Sequence, residues 1–198
     1  MSMTRSSFRN YFMTCLLRNN VLREGGNFLL SSNETSQYYY DFNQFNNGKA
    51  LNELGFSYYK VAKEYFKTSE KFIEPFEVIY GCAYKGISIA MAISTYAWGF
   101  ESKSYPWTFN RKEIKDHGDL SILVGTTNLE GRDILFVDDV YTTGGSIEKN
   151  LQLVRSFKPR NILILVGVNR SGVADISVDG IPVHYIVSHE EVIYPFLD

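Results

Sequence analysis

Asp138 and Asp139 stand side by side at the end of an apolar run, and Thr142, Thr143, Gly144, Gly145 and Ser146 follow almost at once. Two adjacent carboxylates accept hydrogen bonds from vicinal hydroxyls, favour positive charge developing beside them, and hold Mg²⁺ through water. Hydroxyls on a glycine-bearing turn do the opposite and present donors to an anion. A phosphorylated sugar reconciles the two, with its ring hydroxyls on the acids and its phosphate on the turn. The Walker phosphate-loop pattern does not fit, because no Lys follows the second Gly, and G-x-G-x-x-G is absent here. Taken alone, the stretch reads equally well as a strand capped by two solvated acids and a Ser/Gly turn.

The flanking elements favour the chemical reading. Residues 134–137 are continuously apolar and half β-branched, as in a buried strand of a parallel sheet. In open α/β sheets, ligands sit beyond the carboxyl ends of such strands. Ile147, Leu151, Val154 and Phe157 recur at helical spacing, so a helix begins after the turn and adds its positive N-terminal dipole beneath a phosphate.

Three more segments carry candidate chemistry. Gly81-Cys82-Ala83-Tyr84-Lys85-Gly86 lies between a strand and a helix, where a tight turn aims N–H groups and Lys85 at an anion; a plain connection fits equally well. The stretch 110–119 gathers Arg111, Lys112, Lys115 and His117, either as a solvated loop or as a cationic lid that excludes water from the reacting sugar. Arg170 follows another buried strand, residues 162–168, and its planar fork suits a base carbonyl or a carboxylate; a surface Arg is the plainer alternative.

Around these, the chain predicts a helix over residues 8–22 ended by Gly25-Gly26, and a strand pair at 28–30 and 38–42. A helix over 49–66 follows, capped by Asn46 or Asn47. Then come strands at 78–80 and 105–109, a buried helix over 87–96, and a further strand at 185–187. The alternation specifies an α/β fold, a mainly parallel sheet with helices on both faces. At 198 residues, one domain is expected. Twenty basic and 22 acidic residues, net −2, leave no nucleic-acid or membrane footprint. No apolar run reaches membrane-spanning length, and residues 1–10 lack a signal-peptide core. Cys15 and Cys82 sit in apolar patterns, which predicts buried free thiols and a reducing cytoplasm.

The acidic strand end with its Thr-rich turn resembles the PRPP-binding motif of the type I phosphoribosyltransferases. The resemblance sharpens to the orotate phosphoribosyltransferases at the cationic loop, whose Arg-Lys-x-x-Lys-x-His-Gly pattern is filled by Arg111, Lys112, Lys115, His117 and Gly118. It covers residues 21–170. It implies a type I phosphoribosyltransferase fold with a small N-terminal hood over about 21–45 and a flexible lid over 110–119. It implies that Thr142 to Ser146 hold the 5-phosphate, with Val140 and Tyr141 at the same PRPP site, and that Asp138 and Asp139 hold the ribose hydroxyls and, through water and PRPP, Mg²⁺. Tyr84 and Lys85 would meet the diphosphate together with Arg111, Lys112, Lys115 and His117. Lys115 or His117 would supply the general acid, and the base would lie against Tyr39, Tyr40, Thr142 and Arg170. The implied assembly is a cytoplasmic homodimer whose lid reaches the neighbouring subunit's site, acting on PRPP and orotate. Ser31 stands where the family has Lys, Glu34 where it has Arg, and Tyr39 and Tyr40 where it has two Phe. Another nucleobase is therefore an alternative acceptor. A PRPP-sensing protein on the same fold is a third reading, against which the filled cationic loop argues.

Overall fold

Parallel pairing of short apolar runs builds the centre of the molecule. In the computed structural model, which describes residues 5–29, 35–66, 75–111 and 121–194, the elements run α1 (Arg5–Arg18), β1 (Leu22–Leu29), β2 (Thr35–Tyr40), α2 (Gly48–Tyr65), β3 (Val78–Gly81), α3 (Lys85–Glu101), β4 (Trp107–Asn110), β5 (Leu123–Gly125), β6 (Asp133–Tyr141), α4 (Gly145–Ser156), β7 (Asn161–Asn169), β8 (Ile176–Val178), β9 (Ile181–Ser188) and α5 (His189–Ile193). Lys112, Lys115, His117, Gly118, Ser31 and Glu34 lie outside the described residues.

Seven strands form one sheet in the order β5-β4-β3-β6-β7-β9-β8. The five inner strands pair in parallel, and β5 and β8 close the edges antiparallel. Strand alternation then sorts the core by parity. On β6, Leu135 and Val137 face the side covered by α2 and α3, among Leu54, Tyr58, Ile89 and Ile93. Ile134 and Phe136 face the other side, where α4 lays down Ile147, Leu151 and Val154. Helices thus cover both faces, and β6 sits at the sheet centre, its acidic end running past the end of β3 while still paired with β7.

The hood is the β1–β2 hairpin, paired antiparallel with a bulge between Glu24 and Phe28. Here the structure corrects the sequence reading: α1 ends at Arg18, Leu22 opens a strand, and Gly25-Gly26 lie inside it at the bulge. The left-handed φ of +74° at Gly25 is a bulge conformation as readily as a helix stop. Asn47 caps α2, its side chain accepting from Ala50 N. The helix predicted over 87–96 runs longer at both ends and is buried only on the side of Ile89, Ala90, Ile93 and Ala97; Trp98 and Phe100 are exposed. The short edge strands β5 and β8 and the five-residue helix α5 were not anticipated. Cys15 and Cys82 are buried free thiols, as expected. No described helix is long and apolar enough to cross a membrane.

Candidate active site

The acidic end of β6 is pinned from behind. Fully buried Tyr58, on α2, donates from its hydroxyl to the Asp138 carbonyl at 2.9 Å. Gly167 on β7 makes room for it, since a Cβ there would lie 2.5 Å from the Tyr58 oxygen. The side chains of Asp138 and Asp139 then fall on opposite sides of the strand. Asp138 accepts from Asp139 N at 3.0 Å and from Ser146 Oγ at 3.5 Å. Asp139 accepts from Val140 N at 2.8 Å and feels the charge of Lys85.

Burial, together with the Asp139 charge, holds the Asp138 carboxyl well above the usual carboxylate range. Burial raises Asp139 as well, opposed by the Val140 N–H and by Lys85. A buried acid and a half-buried neighbour this close resist joint ionisation, so the strand end is primed for anything that donates hydrogen bonds or brings positive charge. Two carboxylates do not make a protein cage for a metal, and no cluster of three or more His, Cys, Asp or Glu placed to hold one occurs among the described residues. Their hard oxygens do suit Mg²⁺, which commonly keeps waters and substrate oxygens in its shell.

The turn after β6 closes the other wall. Gly144 adopts φ +83° and forms the N-cap of α4 with no side-chain cap. A Cβ at Gly144 would sit 2.9 Å from the Tyr141 hydroxyl, so glycine is required here for space as well as for φ. Without a cap, the first N–H groups of α4 have no side-chain partner in the turn and can serve an anion. Across the cavity, the β3–α3 turn packs tightly on β6: a Cβ at Gly86 would meet the Val137 carbonyl at 2.4 Å. That contact brings Tyr84 and Lys85 opposite the acids.

One cavity of about 460 Å³ is lined by Tyr84, Lys85, Asp138, Asp139, Val140, Tyr141, Thr142, Thr143, Gly144, Gly145 and Ser146. Eleven sequence-nominated positions from two distant segments therefore meet in one place. Arg111 follows β4, its backbone N–H bound to Ile122 and its guanidinium to the Ser121 carbonyl at 2.8 Å. Arg170 is tied to the end of β6, its N–H donating to the Tyr141 carbonyl at 2.8 Å. Its guanidinium donates to Ser36 Oγ at 2.9 Å and lies 5.7 Å from the Tyr40 ring centroid, joining β7 to the hood. Tyr39 points the other way and stacks on Phe28, and burial with the nearby charges of Asp41 and Asp139 pushes its phenol up.

Sequence reasoning passed over Tyr58, Asp41 and Asn43. Asp41-Phe42-Asn43 carried a local signal, a short acidic cap before a turn; Tyr58 carried none, because its partner is 80 residues away.

A cavity at the carboxyl end of a central parallel strand, walled by paired acids and an uncapped helix, fits the phosphoribosyl transferase class. Residues 49–176 match the family model of the phosphoribosyl transferase domain. The orotate phosphoribosyltransferase of Pseudomonas putida is 35% identical over 195 residues, covering 94% of this chain and 87% of that protein. The enzyme of the same description from Pseudomonas aeruginosa is 34% identical over 199 residues, with the same coverage. The crystal structure of the Francisella tularensis orotate phosphoribosyltransferase matches at a TM-score of 0.68 and 26% identity, over 94% of this chain and 91% of that one. The chain belongs to the orotate phosphoribosyltransferase family, and so to the pentosyltransferase enzymes.

Proposed function

We propose that this protein transfers the phosphoribosyl group of PRPP to orotate, giving orotidine 5′-phosphate and diphosphate, a step of pyrimidine synthesis. The observation that carries the proposal is the convergence of the acid pair, the Thr142–Ser146 turn and the Tyr84-Lys85 turn on one cavity. The 5-phosphate takes the N–H groups at the start of α4 and the hydroxyls of Thr142, Thr143 and Ser146. Asp138 and Asp139 accept from the ribose hydroxyls, and the donated hydrogen bonds offset the burial that raises both acids. Lys85 and Tyr84 meet the diphosphate, joined by Arg111 and Lys112.

The C1–oxygen bond to diphosphate breaks ahead of the new bond to the base nitrogen, the leaving oxygen keeps the electron pair, and the base nitrogen releases its N–H proton to solvent. The ring carries oxocarbenium-like positive charge, which the acid pair stabilises. No enzyme nucleophile is required. Lys115 or His117 gives a proton to the departing diphosphate. Asp138 and Asp139 would hold Mg²⁺ through water and PRPP, and the bound ion would supply positive charge against the diphosphate. Arg170, Thr142 and the backbone of Tyr39 and Tyr40 hold the base. The working form is a single-domain subunit paired in a cytoplasmic homodimer, with residues 110–119 shared across the pair; the filled cationic pattern and the family membership support that arrangement.

A second reading keeps the chemistry and changes the acceptor, motivated by Ser31 and Glu34 in place of a family Lys and Arg. Incubation of the protein with PRPP, Mg²⁺ and a panel of purine and pyrimidine bases separates the two. Orotate is expected to be consumed far faster than any other base; preferential use of a different base would establish the second reading instead.

A further inference from the structure

Lys85 enters the cavity from the first turn of α3, and its ammonium donates to Asn43 Oδ1. Asn43 belongs to the short 3-10 turn Phe42–Gln44, which links the hood to α2 and lies 42 residues from Lys85 in sequence. The Asn43 amide has no freedom to flip. Its Nδ2 donates to Asp41 Oδ1 at 2.9 Å, which turns the amide oxygen toward Lys85.

Asp41 is fixed in turn. Buried at 7% exposure, it also accepts from Asn43 N at 3.2 Å, Gln44 Nε2 at 2.8 Å and Arg23 Nη2 at 2.6 Å. Those donors hold its carboxyl below its usual range despite burial. A chain of polar contacts therefore runs from the hood strand, through Asp41 and Asn43, to the cation in the cavity.

The chemistry of that last contact is specific. A neutral amide acceptor takes one of the three ammonium hydrogens and leaves the full charge and two donors for an anion. A carboxylate in the same place would have neutralised Lys85 and competed with the ligand. A free lysine stem also carries rotamer entropy, and holding it before the ligand arrives removes part of that cost from binding.

We propose that Asn43, oriented by Asp41, is a positioning residue that pre-sets Lys85 for the diphosphate group of PRPP. The inference rests on the PRPP reading above and adds a residue outside the cavity wall. Asn43 is exposed, and Asp41 keeps its donors from Asn43 N, Gln44 and Arg23 when the amide is removed, so truncating it leaves the fold intact.

The test is calorimetric titration of diphosphate and of PRPP into wild type and Asn43→Ala, with steady-state KM for PRPP and for orotate. The same measurements are repeated in a Lys85→Ala background. Asn43→Ala is expected to weaken diphosphate and PRPP roughly tenfold, the scale of one hydrogen bond to a charged group. The orotate KM and Tm should stay at wild-type values, and Asn43→Ala should add nothing once Lys85 is Ala. Unchanged diphosphate affinity overturns the proposal, as does an equal loss in the Lys85→Ala background or a joint shift of Tm and both KM values. A wild type that binds neither PRPP nor diphosphate removes the underlying reading and this inference with it. A wild type that binds both, matched by Asn43→Ala, removes the inference alone.

Discussion

Asp138 shows what a single side chain can disclose. Its identity and its neighbour announce an acidic rim from sequence, but its environment belongs to the fold: the Tyr58 hydroxyl behind it, Ser146 beside it, the sheet beneath it. The raised carboxyl has a consequence for stability. In the unfolded chain the acid titrates near its ordinary value of about 4, whereas the folded state holds its proton to higher pH. Above that ordinary value the unfolded state binds fewer protons, so the pair's contribution falls as pH rises, from about pH 4 through neutrality. Asp138→Asn removes the penalty while keeping the shape. Thermal denaturation of the ligand-free protein is expected to give a Tm higher than wild type by roughly 2–4 °C at about pH 8, shrinking to nothing near pH 4. A lower Tm at both values would show that the buried charge is not the dominant effect.

At the scale of elements, the strand–turn–helix unit β6–α4 was legible because all its signals are contiguous: an apolar run, acids, a glycine turn and a helical repeat. Edge strands of three residues carry no periodicity to read, which is why β5 and β8 escaped notice. Gly25-Gly26 misled for the opposite reason, since a left-handed glycine serves a bulge as well as a helix end. The site divides in the same way. The cavity's own loops were visible in sequence, whereas Tyr58, Asp41 and Asn43 act through partners that only folding brings near. Within β6–α4, Gly144 is the most sensitive joint. Gly144→Ala must strain φ and displace the Tyr141 ring. We expect a loss of about 1–3 kcal/mol in chemical denaturation, with a raised KM for PRPP and an unchanged KM for orotate. A variant with wild-type stability and KM would mean that the turn tolerates a Cβ.

For the whole molecule, the central question is whether two chains share each site. In the proposed arrangement Lys115 would act on the neighbour's PRPP, and Asp139 would act on its own. Lys115→Ala and Asp139→Asn should each lose activity by orders of magnitude as pure proteins. Mixed, unfolded and refolded together, they should recover about a quarter of wild-type activity, because half of the random dimers are hybrids and each hybrid keeps one intact site. Sedimentation at assay concentration should show a dimer throughout. A monomer in sedimentation, or a mixture no more active than its parts, would contradict the shared arrangement.

The kinetic outcomes depend on the reaction itself. The most direct measurement is the time course of orotidine 5′-phosphate and diphosphate formed by the purified protein from orotate, PRPP and Mg²⁺. The proposed chemistry requires both products in equal amounts, at a rate that Asp139→Asn abolishes without unfolding the protein. Diphosphate release without nucleotide, or no turnover by a folded protein that still binds PRPP, would contradict it.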